Sequence, residues 1–366
     1  MRLPTQALSR RSCLTTRRRL LPRHIAYSLA IVACVFFLFH SFTSPSPPHK
    51  ARITKVTERI SPISDVYEAS LRSHDEHNRI HDYDLVVFGD QAEGEYYSRA
   101  KYLLRLITNE LALPAGKRRE WLMWVDRDVI LLNEQIPLDI FLPPPDFPHI
   151  HFLGTHDKIH GFNAGVFFIR VHEWSINLLK DVIAHSEADT PEAVHGSVKV
   201  GRFELTEELR DQRAFHTILR GDPYRDNVLY QPRNWYNTLP DSTDHHGKEG
   251  YLLTHFNELE GPREVGMTIT ILSHARSPES YSAPVSHTLY PRRIREFWER
   301  VREAKQLLPH AQARINEEAV WEGFRRLSYA STYETDVEKV LTAAIHMLSR
   351  ALGRMDNVDL GHPEDA

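Results

Sequence analysis

The sequence predicts an α/β fold, a mostly parallel sheet covered by helices on both faces. Three observations carry that expectation. Short apolar runs bounded by Gly, Pro or acidic residues recur through residues 52–285. Segments with helical spacing separate them, and such alternation builds sheets buried on both sides. The third is Trp121–Asn133, WLMWVDRDVILLN, where an apolar run ends in Asp126 and Asp128 and a second apolar run follows. A chain of 366 residues, 41% hydrophobic and 26% charged, has room for one large domain of this kind plus appendages.

Taken in order, Ile53–Val56 is a short β-prone run, and Asp65–Ile80 has the spacing of a helix. Asp84–Phe88 reads as a buried strand ended by Gly89. Tyr96–Leu111 repeats Tyr102, Leu103, Leu106, Ile107 and Leu111 at helical intervals, and Pro114 stops it. The strand before Asp126 follows, then a Pro-rich turn at Pro143–Pro148 and a strand at His151–Gly154. Gly161–Arg170, GFNAGVFFIR, is a Gly-bounded turn leading into a strand, and Trp174–His185 is a helix. Residues 186–204 are polar and irregular, the pattern of a closing loop. Leu205–Leu219 reads as a helix and Asn227–Tyr230 as a short strand, and Tyr251–His255 is another short apolar run. Residues 286–366 form a helical extension, with Ile294, Phe297, Trp298, Val301 and Leu307 on one stripe.

The N-terminus has a different character. Residues 1–50 hold seven Arg, one Lys and no acid, which leaves 37 of the 45 basic residues against all 49 acidic ones, a net of −12. An acidic body argues against a nucleic-acid partner. Residues 1–24 read as a basic cytosolic tail, and Ile25–Phe42 as a signal-anchor of about 18 residues, near the lower limit for a transmembrane helix. Residues 43–51 read as a Pro/Ser stem, and the basic flank places everything beyond the span in the lumen. A short span suits an early secretory membrane. A cleaved signal peptide would need an A-x-A-like site, and a transit peptide should be amphipathic, whereas Val35–Phe39 is apolar on every face. Cys13 and Cys34 are the only cysteines, so the body has no disulfide and no Cys-zinc site. It has no N-x-S/T sequon either.

Asp126 and Asp128 lie just past a strand, where ligands gather in open α/β sheets. In extended chain, positions i and i+2 face one side, so both carboxylates can reach one cation, and hard oxygen ligands suit Mn²⁺ or Mg²⁺. The plain alternative for a D-x-D is a solvated turn. His255 closes YLLTH and would be an acceptable third ligand, although it is one of 22 histidines. Asn163, Ala164 and Gly165 sit in a Gly-bounded turn that permits close backbone approach and offers an amide to hydroxyl-rich ligands, or is simply a tight turn. Asp211 and Gln212 open a helical segment, where an acid also serves as a cap. Arg99 and Lys101 are phosphate-binding candidates on what is otherwise a solvated helix face.

The order of these motifs resembles a known family. D-x-D is followed by NAG-FFIR-x-x-x-W, then DQ-A, then Pro-Arg-x-x-Tyr-Asn-x-x-Pro, then THF. Over roughly residues 52–265 the chain resembles glycosyltransferase family 34, the fungal Golgi galactosyl- and mannosyltransferases and plant xyloglucan xylosyltransferases. WLMWVDRDVILLN, GFNAGVFFIRVHEWS and YQPRNWYNTLP are its most specific pieces.

The resemblance implies a GT-A fold over residues 52–285, a UDP- or GDP-hexose donor, Mn²⁺ or Mg²⁺ dependence and retention of anomeric configuration. It implies that Asp126 and Asp128 bind the metal-diphosphate, with Asp126 also on the donor side, and that His255 completes the metal site. It places Lys101 near the donor, Asn163, Ala164 and Gly165 at the donor sugar, and Asp211 and Gln212 at the reacting centre as catalytic groups. Arg263 stands in for a phosphate-binding base. The implied partners are a glycan or glycoprotein acceptor, the Golgi membrane through the anchor, and a Golgi glycosyltransferase complex. Arg127, Arg210 and Phe256-Asn257-Glu258 depart from the family pattern. The cations beside site acids leave open a catalytically inactive GT-A subunit that scaffolds such a complex. A metal-dependent phosphohydrolase would need more carboxylates near Asp126 than the sequence holds.

Overall fold

The run WLMWV forms strand β3 (Trp121–Val125), buried at all five residues because the sheet continues on both sides of it. The computed structural model describes residues 51–59, 64–89, 98–157, 161–188, 208–240, 251–257, 262–333 and 337–353. The expected cytosolic tail, anchor and most of the stem lie outside them. Among the described residues no helix is long and apolar enough to cross a membrane.

β1 (Ile53–Glu58) pairs in parallel with β2 (Asp84–Phe88) and with β3. β6 (Gly161–Arg170) is antiparallel to β3 and to β5 (Phe152–Asp157), and β7 (Val228–Tyr230) is parallel to β5. The order is β2-β1-β3-β6-β5-β7, so five strands point one way and β6 alone points back. The sheet is therefore mixed and mostly parallel. β6 reverses because only three residues separate Asp157 from Gly161, too few for the crossover a parallel pair requires.

Successive residues of β6 show how both faces are covered. Phe167 packs against Phe215 of the helix Glu208–Leu219, with ring centroids 5.6 Å apart and the rings tilted by 51°. Phe168 meets Tyr236 on the opposite face at 5.1 Å and Phe141 at 6.4 Å. The first face also carries the helices Ser98–Ala112 and Glu173–Ala188, which pack in series with the one bearing Phe215. In chain order the helices are α1 (Asp65–Ser73), α2 (Asp75–His81), α3 (Ser98–Ala112), α4 (Glu173–Ala188), α5 (Glu208–Leu219), α6 (Pro262–Arg276), α7 (Tyr290–Ala313), α8 (Glu318–Tyr333) and α9 (Val337–Ala351).

Three local departures from expectation have physical causes. The helix expected over 65–80 is two helices divided at His74. Ser73 donates its hydroxyl to the carbonyl of Ser70 and accepts from the amide of Leu131, while the His74 ring is drawn inward to Lys55. Helix α6 was hidden in the sequence by its β-branched run; Thr268 and Thr270 satisfy their hydroxyls on the carbonyls four residues back. Leu253–His255 is strand β8, but it pairs outside the main sheet, antiparallel to β4 (Val129–Leu131).

The C-terminal helices share the core of the sheet. Tyr290, at the start of α7, donates its hydroxyl to the carbonyl of Trp235 at 2.7 Å and accepts from the amide of Leu252 at 3.2 Å. Phe297 packs on Trp235 and Trp298 on Phe147, at 5.2 and 5.3 Å between centroids.

Candidate metal and donor site

The end of β3 is held open by its neighbour. The amide of Asp126 donates to the carbonyl of Gly165 on β6 at 2.8 Å, and the amide of Val129 closes a turn on the carbonyl of Asp126 at 3.2 Å. β4 then begins, and its first residue, Val129, lies in register with His255 of β8. This two-stranded ribbon carries the imidazole to the carboxylates. Asp126, Asp128 and His255 each present a ligand atom, and all three atoms lie within 4.8 Å of one another. Among the described residues no other group of three or more His, Cys, Asp or Glu converges this way.

Gly165 makes the approach possible. A Cβ built there would stand 2.0 Å from Cε1 of His255, so the ring occupies the space a side chain would fill. The His255 ring is almost fully buried, its Nε2 3.3 Å from Asp128 Oδ1 and its Nδ1 2.8 Å from Asn237 Oδ1. Burial favours the neutral ring, but the Asp128 and Asp126 carboxylates outweigh it and raise the imidazole above its ordinary value. Burial, which favours the neutral form here too, raises the Asp126 carboxyl; Arg99 opposes the shift and the Asp128 charge adds to it.

Such a set fits a divalent cation. Two crowded carboxylates lose their mutual repulsion when a positive ion sits between them, and two oxygens with one imidazole nitrogen suit Mn²⁺ or Mg²⁺.

Arg99 joins this cluster to the other predicted residues. Its Nη2 donates to Asp126 Oδ1 at 2.9 Å and its Nη1 lies 3.1 Å from Asp211 Oδ2. The guanidinium also lies over Trp124, 5.0 Å from the ring, and Trp124 Nε1 donates to the same Asp126 oxygen at 2.6 Å. Gln212, the next residue on α5, accepts the amide of Ala164 through Oε1 at 2.9 Å. The structure therefore gathers Asp126, Asp128, Asn163, Ala164, Gly165, Asp211, Gln212 and His255 at one edge of the sheet.

Lys101 and Arg263 are placed differently. Two residues along a helix turn the side chain about 200° away, so Lys101 leaves the cluster that Arg99 enters. Its Nζ is 3.4 Å from Glu187 on α4. Arg263 lies in the first turn of α6, with its side chain outside the described residues, as is that of Arg210. The expected loop over 186–204 lies beyond the described residues after Ala188. Arg127, the middle residue of the D-x-D, sends its guanidinium over the ring of Tyr67 on α1, at 4.8 Å. Sequence reasoning gave no role to Trp124, Thr155 or Asn237. Asn237 stood inside YQPRNWYNTLP, but nothing in that run says which side its amide faces.

No family model matches the chain. It is 30% identical over 143 residues to "Probable glycosyltransferase 7" of Oryza sativa subsp. indica, covering 37% of this chain and 32% of that protein. The japonica protein of the same name matches equally. "Glycosyltransferase 6" of Arabidopsis thaliana is 26% identical over 217 residues, 53% of this chain and 46% of that protein. The chain thus spans about a third to a half of the length of the curated relatives it matches. Among solved structures it is similar to a glycosyltransferase involved in glycosylating the major capsid of PBCV-1, with 16% identity, a TM-score of 0.45 and coverage of 60% and 98% of the two chains. It is also similar to the galactosyltransferase LgtC, with 11% identity, a TM-score of 0.37 and coverage of 60% and 95%.

Proposed function

We propose that this protein is a metal-dependent glycosyltransferase that moves a hexose from a UDP- or GDP-sugar to a glycan acceptor with retention at the anomeric carbon. The observation that carries the reading is the convergence of Asp126, Asp128 and His255 beside Arg99 and Asp211. The names of the plant relatives support the same class of reaction.

In this reading Asp126, Asp128 and His255 hold Mn²⁺ or Mg²⁺, which when bound neutralises the charge that builds on the diphosphate leaving group. Arg99 keeps the Asp126 and Asp211 carboxylates in fixed positions and adds positive charge beside the diphosphate. Asp211 faces the sugar and stabilises the positive charge that develops as the bond from the anomeric carbon to the diphosphate oxygen breaks. The acceptor hydroxyl oxygen bonds to that carbon on the same face, and its proton leaves with the diphosphate. Gln212 holds the backbone at Ala164, and with it the start of strand β6, against which the sugar rests. The fold is of the GT-A type, the anchor at residues 25–42 places the body in the Golgi lumen, and the acceptor is a glycan or glycoprotein.

The test is a donor screen with the full chain and Mn²⁺, reading nucleotide release with and without oligosaccharide acceptors. Release from at least one UDP- or GDP-hexose, abolished by EDTA and by Asp128→Ala, is expected. Unchanged release in Asp128→Ala contradicts the metal site, and no release from any donor favours the inactive scaffold.

A further inference from the structure

The buried amides behind the metal cluster form a directed chain. Asn163, Asn237 and His255 are each 2% exposed or less. The backbone amide of Gly165 donates to Asn163 Oδ1 at 3.0 Å, and a backbone N–H has no other mode. That contact fixes which end of the Asn163 amide is oxygen. Asn237 Nδ2 stands 2.9 Å from the same oxygen and donates to it. Turned the other way, Asn237 would bring oxygen against oxygen at that distance. Thr155 Oγ1, 2.8 Å from Asn237 Nδ2, accepts from it as well. Asn237 must therefore present Oδ1 to His255, whose Nδ1 is 2.8 Å away. A carbonyl oxygen only accepts, so Nδ1 carries a proton, and in the neutral ring it is Nε2 that keeps its lone pair, 3.3 Å from Asp128.

We propose that Asn163 and Asn237 are positioning residues that set the His255 tautomer, through a relay that starts at the Gly165 backbone amide and leaves Nε2 available to a divalent cation. This rests on the reading of Asp126, Asp128 and His255 as a metal site, and it adds a role that residue patterns alone did not assign. It also gives Asn163 a task apart from touching the donor sugar. Orientation of a ligating imidazole through its far nitrogen commonly changes metal affinity by about 10–100-fold.

Nitrogen-15 spectroscopy of the histidine rings in the cation-free full chain, at alkaline pH where the ring is neutral, reads the tautomer directly. The His255 signals are assigned by their loss in His255→Gln. The wild type should show the proton on Nδ1. In Asn163→Leu the Asn237 amide loses its orienting partner, and the ring should shift to a mixture or to the Nε2 proton. Asn163→Asp keeps an oxygen acceptor for both donors and should retain the wild-type tautomer. Calorimetric Mn²⁺ titration should show about 10–100-fold weaker binding for Asn163→Leu and near wild-type binding for Asn163→Asp. A wild-type proton on Nε2 overturns the relay, as does a folded Asn163→Leu with unchanged tautomer and unchanged Mn²⁺ affinity. If Asn163→Leu does not fold, the wild-type spectrum alone decides. If the wild type binds no Mn²⁺ yet shows the tautomer change in Asn163→Leu, the relay stands and the metal reading falls.

Discussion

Individual side chains explain why this site needs so specific a set of neighbours. Gly165 is required by the ring that occupies its missing side chain. Gly165→Ala should push His255 off Asp128, cost about 1–3 kcal/mol of stability and weaken Mn²⁺ binding; urea unfolding and calorimetry check both. A second buried group lies behind β4. Lys55 is fully buried, with Nζ hydrogen-bonded to Nδ1 of His77 at 2.6 Å and of His74 at 3.3 Å. Burial, and then the Lys55 charge, push His77 down to about 2, and burial holds Lys55 well below the usual amine range. An unfolded His77 takes up its proton near pH 6.5, whereas the folded one resists until about pH 2. Its contribution is therefore complete above pH 6.5 and drains as pH falls toward 2. Unfolding free energy should drop by about 1.4 kcal/mol per pH unit below 6 from His77 alone, measured by urea titration at pH 7 and pH 5. A flat profile contradicts the neutral buried ring. At this scale the sequence was readable for acids and poor for their partners. Asp126, Asp128 and His255 could be named because each stands at the end of an apolar run in the sequence. Arg99 could not be separated from Lys101 without the helix phase.

The short β4–β8 ribbon is the element that assembles the site, since it sets His255 in register with Val129. It is held from two sides. Ser70 of α1 donates its hydroxyl to the carbonyl of Val129 at 2.6 Å, and Tyr290 of α7 accepts the amide of Leu252. Tyr290→Phe leaves that amide and the carbonyl of Trp235 buried without the hydroxyl they share. A loss of about 1–3 kcal/mol per group is expected, seen as a lower urea midpoint, with Mn²⁺ affinity falling as β8 loosens. An unchanged midpoint shows that the tyrosine hydroxyl does not brace the ribbon. The strands of the main sheet were legible from their apolar runs, but β2 is a half-exposed edge strand and not a buried one, and the expected turn at Gly161–Gly165 is already part of β6. The ribbon was legible only as apolar runs, because three-residue pairing between segments more than a hundred residues apart leaves no periodic trace. Helix α6 went unread because Thr and Ile at alternate positions mimic a strand.

The molecule as a whole joins the sheet to the C-terminal helices through one hydrophobic core. Tyr290, Phe297, Trp298 and Leu307 are all buried in it. At about 1.5–3 kcal/mol per buried side chain, their loss approaches the whole stability of an ordinary domain, roughly 5–15 kcal/mol. A chain ended at residue 285 should therefore be insoluble or unfolded by circular dichroism, and a soluble, folded product contradicts a shared core. The sequence marked residues 286–366 as helical from one apolar stripe, but a stripe does not say what it packs against. The mostly parallel sheet was legible from alternation; the reversal of β6 was not, since it depends on the three-residue connection after Asp157.

The central claim is that Asp126, Asp128 and His255 hold a divalent cation for a nucleotide diphosphate. Calorimetric titration of UDP and GDP into the full chain, with Mn²⁺ and with EDTA, tests it most directly. Binding of one nucleotide that requires Mn²⁺ and disappears in Asp128→Ala is the expected result; binding of equal strength with EDTA or in Asp128→Ala, or no binding at all, contradicts it.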